Sequence, residues 1–220
     1  MTGDAIVEKL KRAPRKDALP RPALPPLAAL FLDREGLIAC FSENLAEQTG
    51  IFYRAKDADG VKARLAEIAS EENLKIMMAA TDDVLSPLNL VEWGQTAGVQ
   101  VLTAKDSTSR EAYREAIFNQ VQAGITGADF GVAESGTIGL IHDVNQPRLI
   151  SIAPILHIAV LPLERLFAVY ENVTDRLFAD KNKLPGHVTF ITGPSTTADI
   201  QGGQFKGMHG PGKTIVILIG

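Results

Sequence analysis

Between Phe52 and Thr103 the chain alternates short apolar runs with stretches of helical periodicity, and this alternation limits its fold more than any other feature. Phe52-Tyr53-Arg54, Lys75 to Ala80 and Val99 to Thr103 are strand-like, whereas Ala58 to Ser70 and Leu88 to Ala97 space their apolar residues as amphipathic helices. Strands separated by a helix pair in parallel through crossovers, because only a long connection returns the chain to its starting direction. The expected fold is α/β: an open, largely parallel sheet flanked by helices. Upstream, the pattern predicts a helix over Leu27 to Leu32, a short strand at Leu37 to Phe41, and a helix from Ser42 to Gly50 with a serine cap and a glycine stop. Downstream it predicts helices at Arg110 to Gln122 and Leu163 to Phe178. Further strands are expected at Ala123 to Thr126, Phe130 to Ala133, Thr137 to Ile141, Ile155 to Leu161, His187 to Thr192 and Thr214 to Ile219.

The chain start is different. Asp4 to Lys16 has a stripe of Ile6, Val7 and Leu10 among basic residues, and residues 1–22 carry six positive and three negative charges. The whole chain is −4, so the arm is +3 and the remainder −7. A cationic helical face suits docking on an acidic partner and equally suits plain solvation. Four prolines in Leu19 to Pro26 remove the amide hydrogens that helix and sheet require, so this stretch is an extended connector. The expected organisation is a helical arm over 1–19, a connector over 20–26 and a single α/β domain over 27–220.

Composition narrows the chemistry. An acidic balance argues against a nucleic-acid footprint. The single cysteine, Cys40, excludes an intrachain disulfide framework, and a cubane iron–sulfur cluster needs about four thiolates. The four histidines lack metal-ligand spacing, so no metal is expected. His142, His157 and His187 lie in or beside apolar strands and read as structural. No run reaches the roughly 18 apolar residues of a membrane span, and the first residues lack a secretory apolar core, so a cytoplasmic location is expected.

Gly207 to Thr214 satisfies the phosphate-loop pattern GxxxxGK[ST], but that loop works by opening a helix onto the phosphate. Here Ile-Val-Ile-Leu-Ile follows, a strand sequence. The match is coincidental. Two other segments carry more information. In the first, Gly124 to Thr137, apolar strands end in Gly, Asp, Glu, Ser and Thr. Such strand ends are where ligands gather in open α/β sheets, although tight hairpin turns use the same residues. In the second, Thr192 to Pro211, a strand ends in Gly-Pro, and Ser195, Thr196 and Thr197 stand where they would cap a new helix or face an anion with their amides. The four glycines from Asp199 to Pro211 suggest a mobile loop there.

Gly-Pro-Ser-x-Thr-Ala-Asp-Ile at 193–200, His-Gly-Pro at 209–211 and the apolar strand after them resemble the LUD domain, in the single-domain form called lactate-utilisation protein C. Gly-Ala-Asp at 127–129 and Ala-Glu-Ser-Gly-Thr at 133–137 resemble the central motif of that family, and the basic arm is similar too. The resemblance implies a fold like the sugar-phosphate isomerase and coenzyme A transferase superfamily, which includes formyltetrahydrofolate cyclo-ligase. It also implies a part in oxidising L-lactate to pyruvate beside partner proteins that carry iron–sulfur clusters, with no cofactor bound by this chain alone. Thr196 and Gln201 stand where the family commonly has Arg and Glu. Threonine cannot clamp an anion with two parallel hydrogen bonds, which leaves amides for that task.

The candidate acid–base residues are Glu134, Asp199 and His209. The candidate ligand-binding residues are Gly127, Asp129, Ser135, Gly136, Thr137, Gly193, Pro194, Ser195, Thr197 and Gly210, with segments 127–137 and 193–211 forming a crevice for a small anionic metabolite. A second reading makes the protein an independent enzyme of the same superfamily, acting on a phosphate- or carboxylate-bearing metabolite.

Overall fold

A computed structural model describes residues 7–9, 11–12, 32–180, 182, 184–198 and 204–220. Six strands form a wholly parallel sheet: β1 (Ile51–Ala55), β2 (Ile76–Ala79), β3 (Gln100–Thr103), β4 (Ala123–Gly127), and then, after the smaller elements below, β7 (Leu156–Pro162) and β12 (Lys213–Ile219). Their spatial order is β1-β12-β7-β4-β2-β3, and every neighbouring pair is parallel.

The central strands are apolar throughout because both of their faces are covered. Ile215 and Ile217 of β12 and Ile158 and Val160 of β7 face one core, built with Val61, Leu65 and Ile68 of helix α2 (Ala58–Glu71). Helices α3 (Leu90–Ala97) and α4 (Arg110–Asn119) add Leu90 and Ile117 to it, and the short α5 (Leu149–Ile152) adds Ile150. The alternate residues Val216, Leu218, Ala159 and Leu161 face a second core against Ile38, Phe41 and Leu45 of α1 (Arg34–Glu47). That face also carries a four-stranded sheet, β8-β5-β6-β9, in which β5 (Phe130–Val132) and β6 (Thr137–Ile141) form an antiparallel hairpin. β8 (Leu166–Phe167) lies parallel to β5, and β9 (Val188–Ile191) antiparallel to β6. Helix α6 (Tyr170–Leu177) covers its outer side through Val173.

Local chemistry sets the helix starts. The Asp33 carboxylate accepts from Gly36 N (2.8 Å), that of Asp57 from Gly60 N (2.9 Å), and the Ser109 hydroxyl from Ala112 N (3.1 Å), each satisfying an orphan first-turn amide.

Three expected elements differ. The strand expected at Leu37 to Phe41 lies inside α1, which also absorbs most of the helix expected from Ser42. Ile38, Phe41 and Leu45 are buried at helical spacing, and the Asp33 cap starts the helix before the apolar run. The helix expected over Leu163 to Phe178 begins only at Tyr170, because Leu163–Arg165 form a 3-10 turn and Leu166–Phe167 pair with β5. Ser195 to Thr197 cap no helix: Thr196–Ala198 is a strand, β10, paired antiparallel with β11 (Gln204–Lys206). The terminal strand replaces any phosphate-loop helix, as expected. The residues expected as helix at 27–31, the connector and most of the basic arm lie outside the described residues.

Candidate functional site

Two strand-end regions gather the polar residues, at opposite edges of the parallel sheet. At the carboxyl edge the chain leaves β2 toward β3, while β4 lies on the other side of β2 and leads on to β7. This reversal leaves a crevice between the ends of β2 and β4 of the kind that holds ligands in doubly wound proteins. Asp82 closes its base. Its Oδ1 accepts from Val84 N (2.9 Å) and Leu85 N (3.0 Å), and its Oδ2 from Gly127 N (2.9 Å), which ties β2 to β4.

Asp129 follows in the turn between β4 and β5. Its Oδ2 accepts from Ile141 N at 2.6 Å and from Gln146 Nε2 at 3.0 Å. Burial is the main influence on this carboxyl and pushes its pKa up to about 6; the Ile141 amide and the Arg165 charge oppose that rise, and Asp82 and Asp83 add to it. Arg165, in the turn after β7, pairs with Asp83 through both guanidinium nitrogens, which holds the Asp83 carboxyl below its ordinary range. A cavity of about 640 Å³ opens here, with Asp129, Arg165 and Arg176 among its walls and Phe130, Phe167 and Val173 on its apolar side. A smaller one of about 280 Å³ shares Asp83, Asp129 and Ile141 with it and reaches Asp82 and Gln146.

The second region lies at the amino edge. The tip of the β5–β6 hairpin carries a chain of hydroxyls, with Ser135 Oγ 2.8 Å from Thr137 Oγ1 and Thr137 Oγ1 2.6 Å from Thr192 Oγ1. Gly136 takes a left-handed φ of 61° against Leu45 of α1, where a Cβ would lie 2.2 Å from the Leu45 amide nitrogen. Gly193 and Pro194 are buried beside the end of α1, and Thr197 lies in β10. Ser195, His209 and Gly210 line a pocket of about 230 Å³ with Gly193 and Thr192. Several amides of this loop already have acceptors: Ser195 N donates to Pro211 O (2.8 Å), Gly207 N to Ser195 O (2.9 Å) and Gly212 N to Ile155 O (2.9 Å).

The expected site residues therefore separate. Ser135, Gly136 and Thr137 meet Thr192 and Gly193 at the hairpin tip, and Ser195, His209 and Gly210 adjoin them. Gly127 and Asp129 sit at the far edge. Glu134 is exposed, and its Oε1 accepts from Tyr170 N (2.7 Å) at the start of α6. Asp199 lies outside the described residues. Sequence reasoning passed over Asp82, Asp83, Gln146, Arg165 and Arg176. For the first two the signal was available, since Thr81-Asp82-Asp83 directly follows an apolar strand, just as Asp129 does.

Of the histidines, His157 is fully buried, with Nε2 2.9 Å from Thr126 Oγ1 and Nδ1 without a partner among the described residues. His142 bonds Gln146 O and Thr189 Oγ1 and lies against His187 at 5.3 Å. Cys40 is partly buried in α1, its Sγ 3.4 Å from Ala133 O. Among the described residues no helix is long and apolar enough to cross a membrane.

A parallel α/β protein with a hairpin sheet on one face and a switch-point crevice at its carboxyl edge is the class that this fold and site define. The chain belongs to the LUD domain family, whose description matches residues 38–219. It is 29% identical to lactate utilization protein C of Halalkalibacterium halodurans over 97% of this chain and 94% of that one. Lactate utilization protein C 1 of Bacillus mycoides is 30% identical over 70% and 67% of the two chains. An uncharacterized protein of Neisseria meningitidis serogroup B is 25% identical over 77% of this chain and 66% of its own length. The fold is similar to the crystal structure of a DUF162 family protein from Deinococcus radiodurans, with a TM-score of 0.64 and 20% identity over 86% and 99% of the two chains.

Proposed function

We propose that this protein acts in lactate utilisation, as a component of the system that oxidises L-lactate to pyruvate with iron–sulfur partner proteins. The observation that carries this reading is the match to lactate utilization protein C of H. halodurans along nearly the full length of both chains. The thiol count supports the division of labour. One cysteine falls short of the roughly four thiolates that hold a cubane cluster, so the clusters belong to the partners and this chain binds none alone. A small anionic metabolite is its ligand.

The test is growth of a clean deletion strain on L-lactate, with pyruvate as the control. Loss of growth on lactate alone, restored by the intact gene, is the expected result. Normal growth on lactate in a strain without a duplicate gene would sink the reading. Affinity purification from lactate-grown cells is expected to bring down iron–sulfur proteins, and isolation of the chain alone would count against the partner assignment.

A further inference from the structure

We propose that the carboxyl-edge cavity binds a hydroxy acid with an apolar substituent, its carboxylate on Arg176, its hydroxyl on Asp129 Oδ1, and its substituent against Phe130, Phe167, Val173 and Leu177. The Asp129 carboxylate is held from one side only. Ile141 N and Gln146 Nε2 both donate to Oδ2, while Oδ1 has no partner among the described residues. Gln146 is itself 3% exposed, so the carboxylate is anchored by a buried side chain and its second oxygen is left to the cavity. An oxygen fixed in this way accepts a hydroxyl proton without reorganising.

The cation offered to the ligand is Arg176, which lines the same cavity. Its guanidinium lies over the Phe167 ring, 5.1 Å from the centroid, and no carboxylate pairs with it among the described residues. Arg165 is taken by Asp83. Arg176 is thus the cavity guanidinium available to clamp a carboxylate. The charged walls comprise Asp83, Asp129 and Glu164 against Arg165 and Arg176, a net −1, which favours a single negative charge on the ligand over a phosphate dianion.

Size decides the substituent. About 640 Å³ lies within the range that takes ligands well above three carbons, and lactate would leave most of it to water. The choice of a hydroxy acid among monoanions rests on the lactate reading above; the preference for a bulkier member rests on the cavity.

The experiment is calorimetric titration of the full chain, near neutral pH, with L-3-phenyllactate, with 3-phenylpropionate, which lacks the hydroxyl, and with L-lactate. Phenyllactate is expected to bind once per chain, roughly tenfold tighter than either comparison acid. Arg176→Met, at an exposed position, is expected to weaken it roughly tenfold, and Asp129→Asn to remove most of its advantage over phenylpropionate. The inference is overturned if phenyllactate gives no binding up to about 10 mM, or if Arg176→Met binds it as the wild type does. Tightest binding of L-lactate would overturn the bulky substituent. The growth test separates the two readings. A deletion strain that fails on lactate while phenyllactate does not bind leaves lactate utilisation standing without this site. Normal growth of the deletion strain with phenyllactate bound at Arg176 leaves the site standing without lactate utilisation.

Discussion

The carboxylate of Asp82 accepts the amide of Gly127 at 2.9 Å, so one side chain joins the ends of two neighbouring parallel strands where their connections part. The same carboxylate satisfies Val84 N and Leu85 N. Asp82→Ala leaves these amides without their acceptor and is expected to cost about 2–3 kcal/mol in urea unfolding. Gly127→Ala acts on the same junction, because a Cβ there would lie 2.2 Å from Asp82 Oδ1. The two losses are expected to be less than additive in a double-mutant cycle, and simple addition would show that the junction is not shared.

At the hairpin tip, Gly136→Ala introduces both a left-handed alanine and a methyl group 2.2 Å from the Leu45 amide nitrogen. The backbone strain alone costs about 1 kcal/mol, and the clash forces α1 away from the hairpin. A loss of at least about 2 kcal/mol in chemical denaturation is expected. A change within about 0.5 kcal/mol would mean that α1 does not seat against this tip.

Asp129 makes stability depend on acidity in an uncommon direction for a carboxylate. Its folded pKa, about 6, lies above its ordinary 3.8, so between these values the folded protein binds the extra proton. Its contribution is therefore favourable at low pH and is lost as pH rises through about 6. Asp129→Asn removes the titration. The melting temperature of the wild type minus that of Asp129→Asn is expected to grow as pH falls from about 7.5 to about 4.5, and a flat difference would refute the raised carboxyl.

His157 works in the opposite sense. Burial is the main cause that lowers its pKa to about 3, with His142 adding to it, so the folded protein refuses a proton that the unfolded chain accepts below about 6.5. Stability is lost as pH falls across that window, by up to about 1.4 kcal/mol per pH unit. The His157→Gln variant is expected to lose less stability than the wild type between pH of about 7 and about 5, as read by urea midpoints. Parallel slopes would place the ring in contact with solvent.

The alternation of strands and helices from Ile51 to Thr103 was legible because each element is amphipathic or wholly apolar over its full length. The strand expected at Leu37 to Phe41 was not, because Leu-Ile-Ala-Cys-Phe is apolar enough for a buried strand. Only the register of Ile38, Phe41 and Leu45 against the second core separates helix from strand. Leu163 to Phe178 misled in the other way: its helical spacing hides the two residues that β5 recruits as a ladder partner. Site residues at strand ends were visible as residue types, but edges were not. Asp129 and Thr137 are close in sequence, yet β5 carries the chain from the Asp129 turn to the hairpin tip, so one anticipated crevice became two regions. Arg176 carried no local signal, since its place in the same cavity as Asp129 depends on how α6 folds over the small sheet.

The place of β12 has a consequence for how the molecule is made. β1 finds its sheet partner in β12, and β12 also pairs with β7, so the earliest strand of the sheet has no neighbour until the latest one arrives. As the chain leaves the ribosome, Ile51 to Ala55 emerges with neither edge paired among the described residues, and the edge that β12 later fills stays open through the synthesis of every intervening element. A nascent chain halted after β9 holds β7 with one edge open and β1 unpaired, two apolar strands that only the final seven-residue strand can join. Protection of those edges, by α1 and α2 or by a chaperone, is a requirement of the translation order rather than of the finished structure.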